Sequence, residues 1–195
     1  MRAKIPTRTR IIDAATMLFW RDGYHAVSTE QICKKANVAK SSLYHAFPSK
    51  AAILSACLDN VWERNWEEIS SIYQYTIPLR EQLEQHLQWF ASSQLKIRDS
   101  FGMFLGTFDM ALGVAIPDEV ATEILDHQRK HSALLATAIA AVAGLDPESP
   151  SARWISGLAN DAITGATIKA RSRNDIGPLL SLTDTVFRLI ELAKV

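Results

Sequence analysis

Apolar residues recur at intervals of three and four along almost the whole chain, and no stretch alternates apolar and polar residues as a strand does. Ile11, Ile12, Ala15, Leu18 and Phe19 predict a first helix, capped by Thr7 or Thr9 and ended by Gly23. Residues 28–50 then predict two short helices and a tight turn. Ser28 caps the first of these, with Gln31 three residues on completing a capping box. Ile32, Cys33 and Ala36 share one face, and Asn37 stands where the helix must stop, because Asn tolerates the left-handed conformation. Val38 and Leu43 close a small shared core with Ile32. Tyr24 and Val27 fill the join to the first helix.

Ser49 caps a long fourth helix to about Ile72, striped by Leu54, Leu58, Val61, Trp62, Asn65, Trp66 and Ile69. After Pro78 a fifth helix runs from Leu79 to about Ile97, with Leu83, Leu87 and Phe90 on one face. Residues 100–112 are apolar nearly all round and read as a sixth, buried helix. A seventh runs from Pro117 and Asp118 to about Ala143, where Gly144 and the loop 146–150 end it. The eighth, Ser151 to Arg171, is rich in small residues. The ninth, from Pro178 onward, carries a seam of Leu179, Leu182, Val186, Leu189 and Ala193. The expected fold is all-α with about nine helices: a three-helix helix-turn-helix head over residues 1–50 and a helical body over 51–195.

Charge sharpens this division. The chain of 195 residues is neutral overall, but residues 1–50 hold nine Lys/Arg against three Asp/Glu, and the remainder holds twelve against eighteen. A basic head of net +6 on a body of net −6 fits a polyanion partner. Cys33 and Cys57 have no metal-ligand or redox-motif spacing and read as core residues. There is no run of about 18 apolar residues and no signal-peptide pattern, so the expectation is a cytoplasmic protein away from the membrane. No nucleophile with an adjacent base, no paired carboxylates and no phosphate-binding glycine loop is present, so no catalytic residue and no cofactor is expected. His127 and His131, four apart, suit a metal by spacing alone. They lack supporting carboxylate or cysteine ligands, and a solvated or packing role is the expectation.

The run Val38-Ala39-Lys40-Ser41-Ser42-Leu43-Tyr44-His45-Ala46-Phe47-Pro48-Ser49-Lys50 resembles the recognition helix and following turn of the TetR (tetracycline-repressor-like) family of bacterial transcription regulators. The match covers roughly the first fifty residues. The resemblance implies that Lys40, Ser41 and Ser42 reach base edges, and that Tyr44, His45, Lys50 and Thr29 meet phosphates. Arg2, Lys4, Arg8 and Arg10 either add backbone or minor-groove contacts or form a solvated arm. Two positions depart from the family pattern. Ala39 removes a capping side chain, and Glu30 puts an acid near phosphate, where it is expected to turn aside or pair with Lys34.

For the body the resemblance implies a small hydrophobic effector, lined by Trp62, Trp66, Trp89, Phe104, Phe108 and Asp109, although such aromatics at helical spacing also suit plain core. The small residues of the eighth helix and the seam of the ninth suit a homodimer interface formed by Gly157, Asp161, Gly165, Leu179, Leu182, Val186 and Leu189, which the resemblance also implies; the alternative is that both stripes are buried within one molecule. The expected function is a dimeric repressor on palindromic double-stranded operator DNA, released when the effector binds. An architectural or partner-docking DNA-binding protein without an effector is a second reading, and a small helical enzyme or ligand carrier a remote third.

Overall fold

The computed structural model describes residues 5–73, 77–103, 105–113 and 115–192. Phe104, Arg2, Lys4 and Ala193 lie outside them. The described residues form ten helices and no strand: α1 (Thr7–Asp22), α2 (Thr29–Ala36), α3 (Lys40–Ala46), α4 (Lys50–Ile72), α5 (Leu79–Phe101), α6 (Phe108–Leu112), α7 (Asp118–Ala143), α8 (Pro150–Arg173), α9 (Gly177–Leu180) and α10 (Leu182–Leu192). Two compact units result, Met1–Asn65 with Thr107–Asp126, and Trp66–Gly106 with His127–Val195. The head therefore shares its unit with the first part of α4, with α6 and with the start of α7, a wider boundary than residue 50.

In the first unit, α1 buries Ile11, Ala14, Ala15, Leu18 and Phe19, the stripe its period dictates. Pro6 occupies the cap position without a side-chain bond, so neither Thr7 nor Thr9 caps the helix; both lie within it. Gly23 closes α1 at φ +79°. The next amide, Tyr24 N–H, donates to the Leu112 carbonyl of α6 at 3.1 Å. A Cβ on Gly23 would sit 3.4 Å from that carbonyl oxygen, so the position needs glycine for conformation and for space. Trp20 packs edge-on against Phe108 at 5.3 Å. Phe19, Ile32, Leu43, Ile53, Leu54 and Cys57 complete a core in which each is fully buried.

The second unit packs Leu83 and Leu87 of α5, Leu135 and Ile139 of α7, Ile155, Ala159 and Ala170 of α8, and Leu179, Leu182, Val186 and Ile190 of α9 and α10. Two expectations fail here for physical reasons. Residues 100–112 are not one helix: α5 continues to Phe101 and stops at Gly102, which takes φ +78° while its amide bonds back to Arg98. Only Phe108–Leu112 is helical again. The seam of the last helix also faces inward. Leu179, Leu182 and Val186 are at most 2% exposed within the chain itself, and Leu189 is half-buried. Their three-four spacing is satisfied by α5 and α8 of the same molecule.

Candidate nucleic-acid interface

The local chemistry of residues 28–50 fixes the geometry of the head. The Gln31 amide donates to Ser28 Oγ at 3.2 Å, and the Ser28 amide donates to Gln31 Oε1 at 2.6 Å, so both halves of the capping box form. At the other end of α2, Asn37 adopts φ 52°, ψ 54°. Its amide reaches the Lys34 carbonyl, and the Val38 amide reaches Cys33 at 3.0 Å. That paired closure sends the chain into α3 at a fixed angle. Arg10 of α1 donates through its guanidinium to the Ala36 and Asn37 carbonyls, placing a cation at the negative end of α2. The Arg8 guanidinium lies 4.4 Å from the Phe47 ring centre. Arg10 thus braces the turn and Arg8 covers the end of α3, and both belong to α1 and not to an arm.

Leu43 is the fully buried anchor of α3, and the opposite side of that helix faces water. Lys40, Ser41, Tyr44 and His45 are exposed, and Ser42 is half-buried. Ala39 supplies no side-chain cap. Thr29, at the start of α2, is half-buried, and its Oγ1 lies 3.4 Å from the Tyr44 hydroxyl, joining the two helices across the ridge. Lys50, at the start of α4, is half-buried with its ammonium 4.2 Å from the Tyr24 ring centre, and burial holds its pKa below the usual lysine value. Ser49 caps α4 by accepting the Ala52 amide at 3.0 Å.

Glu30 departs from expectation. Its partner is Lys40 of α3, at 2.6 Å, and not Lys34 on its own helix. The hydrogen bond from Lys40 holds the Glu30 carboxyl at about 2, and the same bond raises the lysine. Sequence reasoning missed this pairing because the two residues lie ten apart and meet only through the turn.

The body candidates fall in both units. Trp62, Phe108 and Asp109 belong to the first unit, where Phe108 is buried in the core and the other two are half-buried. Trp66 and Trp89 are half-buried in the second unit, with Trp89 Nε1 donating to Glu68 at 2.7 Å. A surface cleft on the outer side of α5 is lined by Pro78, Arg80, Glu81, Glu84, Gln85 and Gln88, and by none of these candidates. Within the second unit, His131 Nε2 lies 3.1 Å from His86 Nε2, and His86 Nδ1 bonds the Tyr73 hydroxyl at 2.7 Å. The only sequence signal for His86 was a polar residue amid the apolar face of α5. On α8, Gly157 and Asp161 are exposed and Gly165 half-buried. Among the described residues no helix is long and apolar enough to cross a membrane.

Comparison with known proteins meets this geometry at the head. A family model described as "Bacterial regulatory proteins, tetR family" matches residues 11–57. The HTH-type transcriptional regulator UidR of Escherichia coli (strain K12) is 42% identical over 59 residues, which span 30% of this chain and 30% of that protein. The HTH-type transcriptional repressor DhaR of Mycobacterium sp. (strain GP1) is 28% identical over 125 residues, 63% of this chain and 60% of that one. Solved structures carry the likeness of fold further. SCO4454, a TetR-family transcriptional regulator from Streptomyces coelicolor, superposes with a TM-score of 0.83 at 18% identity, over 97% of this chain and 90% of that chain. E. coli NemR in its reduced form gives 0.78 at 20% identity, over 94% and 97%. The head, residues 11–57, thus matches the TetR family of bacterial regulatory proteins, and the all-helical fold of solved TetR-family structures extends along nearly the whole chain.

Proposed function

We propose that this protein is a transcriptional repressor that binds a palindromic operator as a homodimer and is released by a small, mainly apolar effector. The observation that carries the DNA-binding part is the ridge of α3. Lys40, Ser41, Tyr44 and His45 stand exposed on a short helix whose opposite face is anchored by buried Leu43. Phosphate contacts from Tyr44, His45, Lys50 and Thr29 position the head, while Lys40, Ser41 and Ser42 read base edges. Changing Tyr44 to Ala weakens binding to every duplex alike, whereas changing Ser42 to Ala alters which duplex is preferred. Fluorescence anisotropy with labelled duplexes over a range of salt concentrations tests both. Binding that ignores salt on every duplex would refute the reading.

Dimerisation is assigned to the outward faces of α8 to α10, because the inward seam is already buried. Trp154, Ile168, Leu180 and Leu192 are each more than half exposed. A Cβ added at Gly157 or Gly165 would meet nothing within 4 Å, so the chain's own packing does not require these glycines. Close approach of a second copy would require them. Effector binding is assigned to the second unit. The buried face of α5 carries Gln82, His86 and Gln94, and Gln94 Oε1 is buried with no hydrogen-bond partner among the described residues. An unmet acceptor of this kind favours a ligand with a hydrogen-bond donor on an otherwise apolar body. A thermal-shift screen read alongside operator release tests this, and the effector must favour the released form for release to follow.

A further inference from the structure

The amino end of the ridge holds an acid where a polyanion is expected. Lys40 Nζ donates to Glu30 Oε1 at 2.6 Å, and the two side chains are 60% and 62% exposed. Glu30 Oε2 lies 3.4 Å from Thr29 Oγ1, which in turn lies 3.4 Å from the Tyr44 hydroxyl. The acid is therefore part of a continuous polar line across α2 and α3. In water an exposed ion pair of this kind contributes little. On a duplex the balance changes, because Lys40 opens α3 and that end meets base edges, so both groups lose water together. The carboxylate then needs a donor, and the ammonium keeps two protons to give to acceptors.

In the major groove, donors and acceptors stand side by side in a fixed pattern. A C·G pair shows the cytosine N4 amino group next to guanine O6 and N7. That order, one donor at the edge and two acceptors beyond it, is the complement of a carboxylate held against an ammonium with two protons to give, whereas an A·T pair sets its one amino donor between two acceptors. Phosphate oxygens, or a pair that sets only acceptors against Glu30, leave the carboxylate repelled and unpaired. We propose that Glu30 is a specificity-determining residue, which holds Lys40 in place and makes the amino end of the ridge require a C·G pair in each half-site. The inference rests on the DNA-binding reading above and adds to it a residue that rejects sequence instead of adding affinity.

The test selects bound duplexes from a random pool with the wild-type protein. Affinities are then measured for the selected duplex and its single-pair variants at three salt concentrations, for wild type, E30Q and K40M. In the wild type, replacing one C·G pair per half-site weakens binding roughly tenfold. E30Q removes most of that discrimination, binds unselected duplex more tightly, and shows a salt dependence steeper by about one phosphate contact as Lys40 is freed. K40M loses discrimination at the same pair. The proposal is overturned if E30Q keeps the wild-type preference at every position, or if E30Q and K40M act on different pairs. K40M keeps the test open if E30Q does not fold, as circular-dichroism melting would reveal. A wild-type protein that binds no duplex sinks the DNA-binding reading itself, which is a separate and recognisable result.

Discussion

His86 makes stability depend on pH with a sign fixed by its surroundings. It is 2% exposed, with Tyr73 on one ring nitrogen and His131 on the other. Burial, and then the neighbouring His131, lower its pKa from the ordinary 6.5 to about 3. Its contribution to stability is thus complete above pH 6.5, and is lost as pH falls toward 3, because the unfolded chain takes up a proton that the folded one refuses. Between pH 7.5 and 5 this linkage removes roughly 2 kcal/mol. For a chain of this length that lowers Tm by about 4–8 °C. Replacing His86 with Gln deletes the proton uptake while keeping a hydrogen-bonding group of similar reach. All other histidines and all carboxylates are common to both proteins. Thermal melts of wild type and His86→Gln at half-unit steps over that range give the difference directly. Whatever the variant's Tm at neutral pH, its curve is flatter below pH 6.5. Parallel curves would refute the assignment.

Removing the Ser28 hydroxyl (Ser28→Ala) leaves the Gln31 amide without its acceptor and costs about 1 kcal/mol, read by chemical denaturation. Leu43→Ala opens a cavity beneath a fully buried side chain and costs roughly 2–5 kcal/mol, with DNA binding lost before the second unit melts. The faces of α8 and α10 separate two outcomes. Ile168→Arg, at an exposed position, yields folded monomers by light scattering, whereas Leu182→Arg, at a buried one, lowers Tm and gives aggregated or unfolded chains.

The head was legible to an unusual depth. The capping box and the Asn37 reversal are each set by residues within five positions of one another, and they and the Leu43 anchor appeared where the sequence placed them. Arg10 and Glu30 were read differently because their partners, the carbonyls at Ala36 and Asn37 and the Lys40 ammonium, lie 10 to 27 residues away. In the body the sequence marked helices well and faces poorly. The run 100–112 looked continuous by hydrophobicity, but backbone conformation at Gly102 ended the helix first.

Apart from the run 100–112, what the sequence alone determined is where the chain is helical and where it turns, since those choices rest on hydrogen bonds and side-chain contacts between near neighbours. Which apolar stripe meets which was decided only in three dimensions. Leu179, Leu182 and Val186 carry a pattern that would suit a second copy equally well, and helices of the same chain cover them. A periodic stripe specifies that something apolar must lie against it, and the identity of that cover depends on long-range packing that no local window contains.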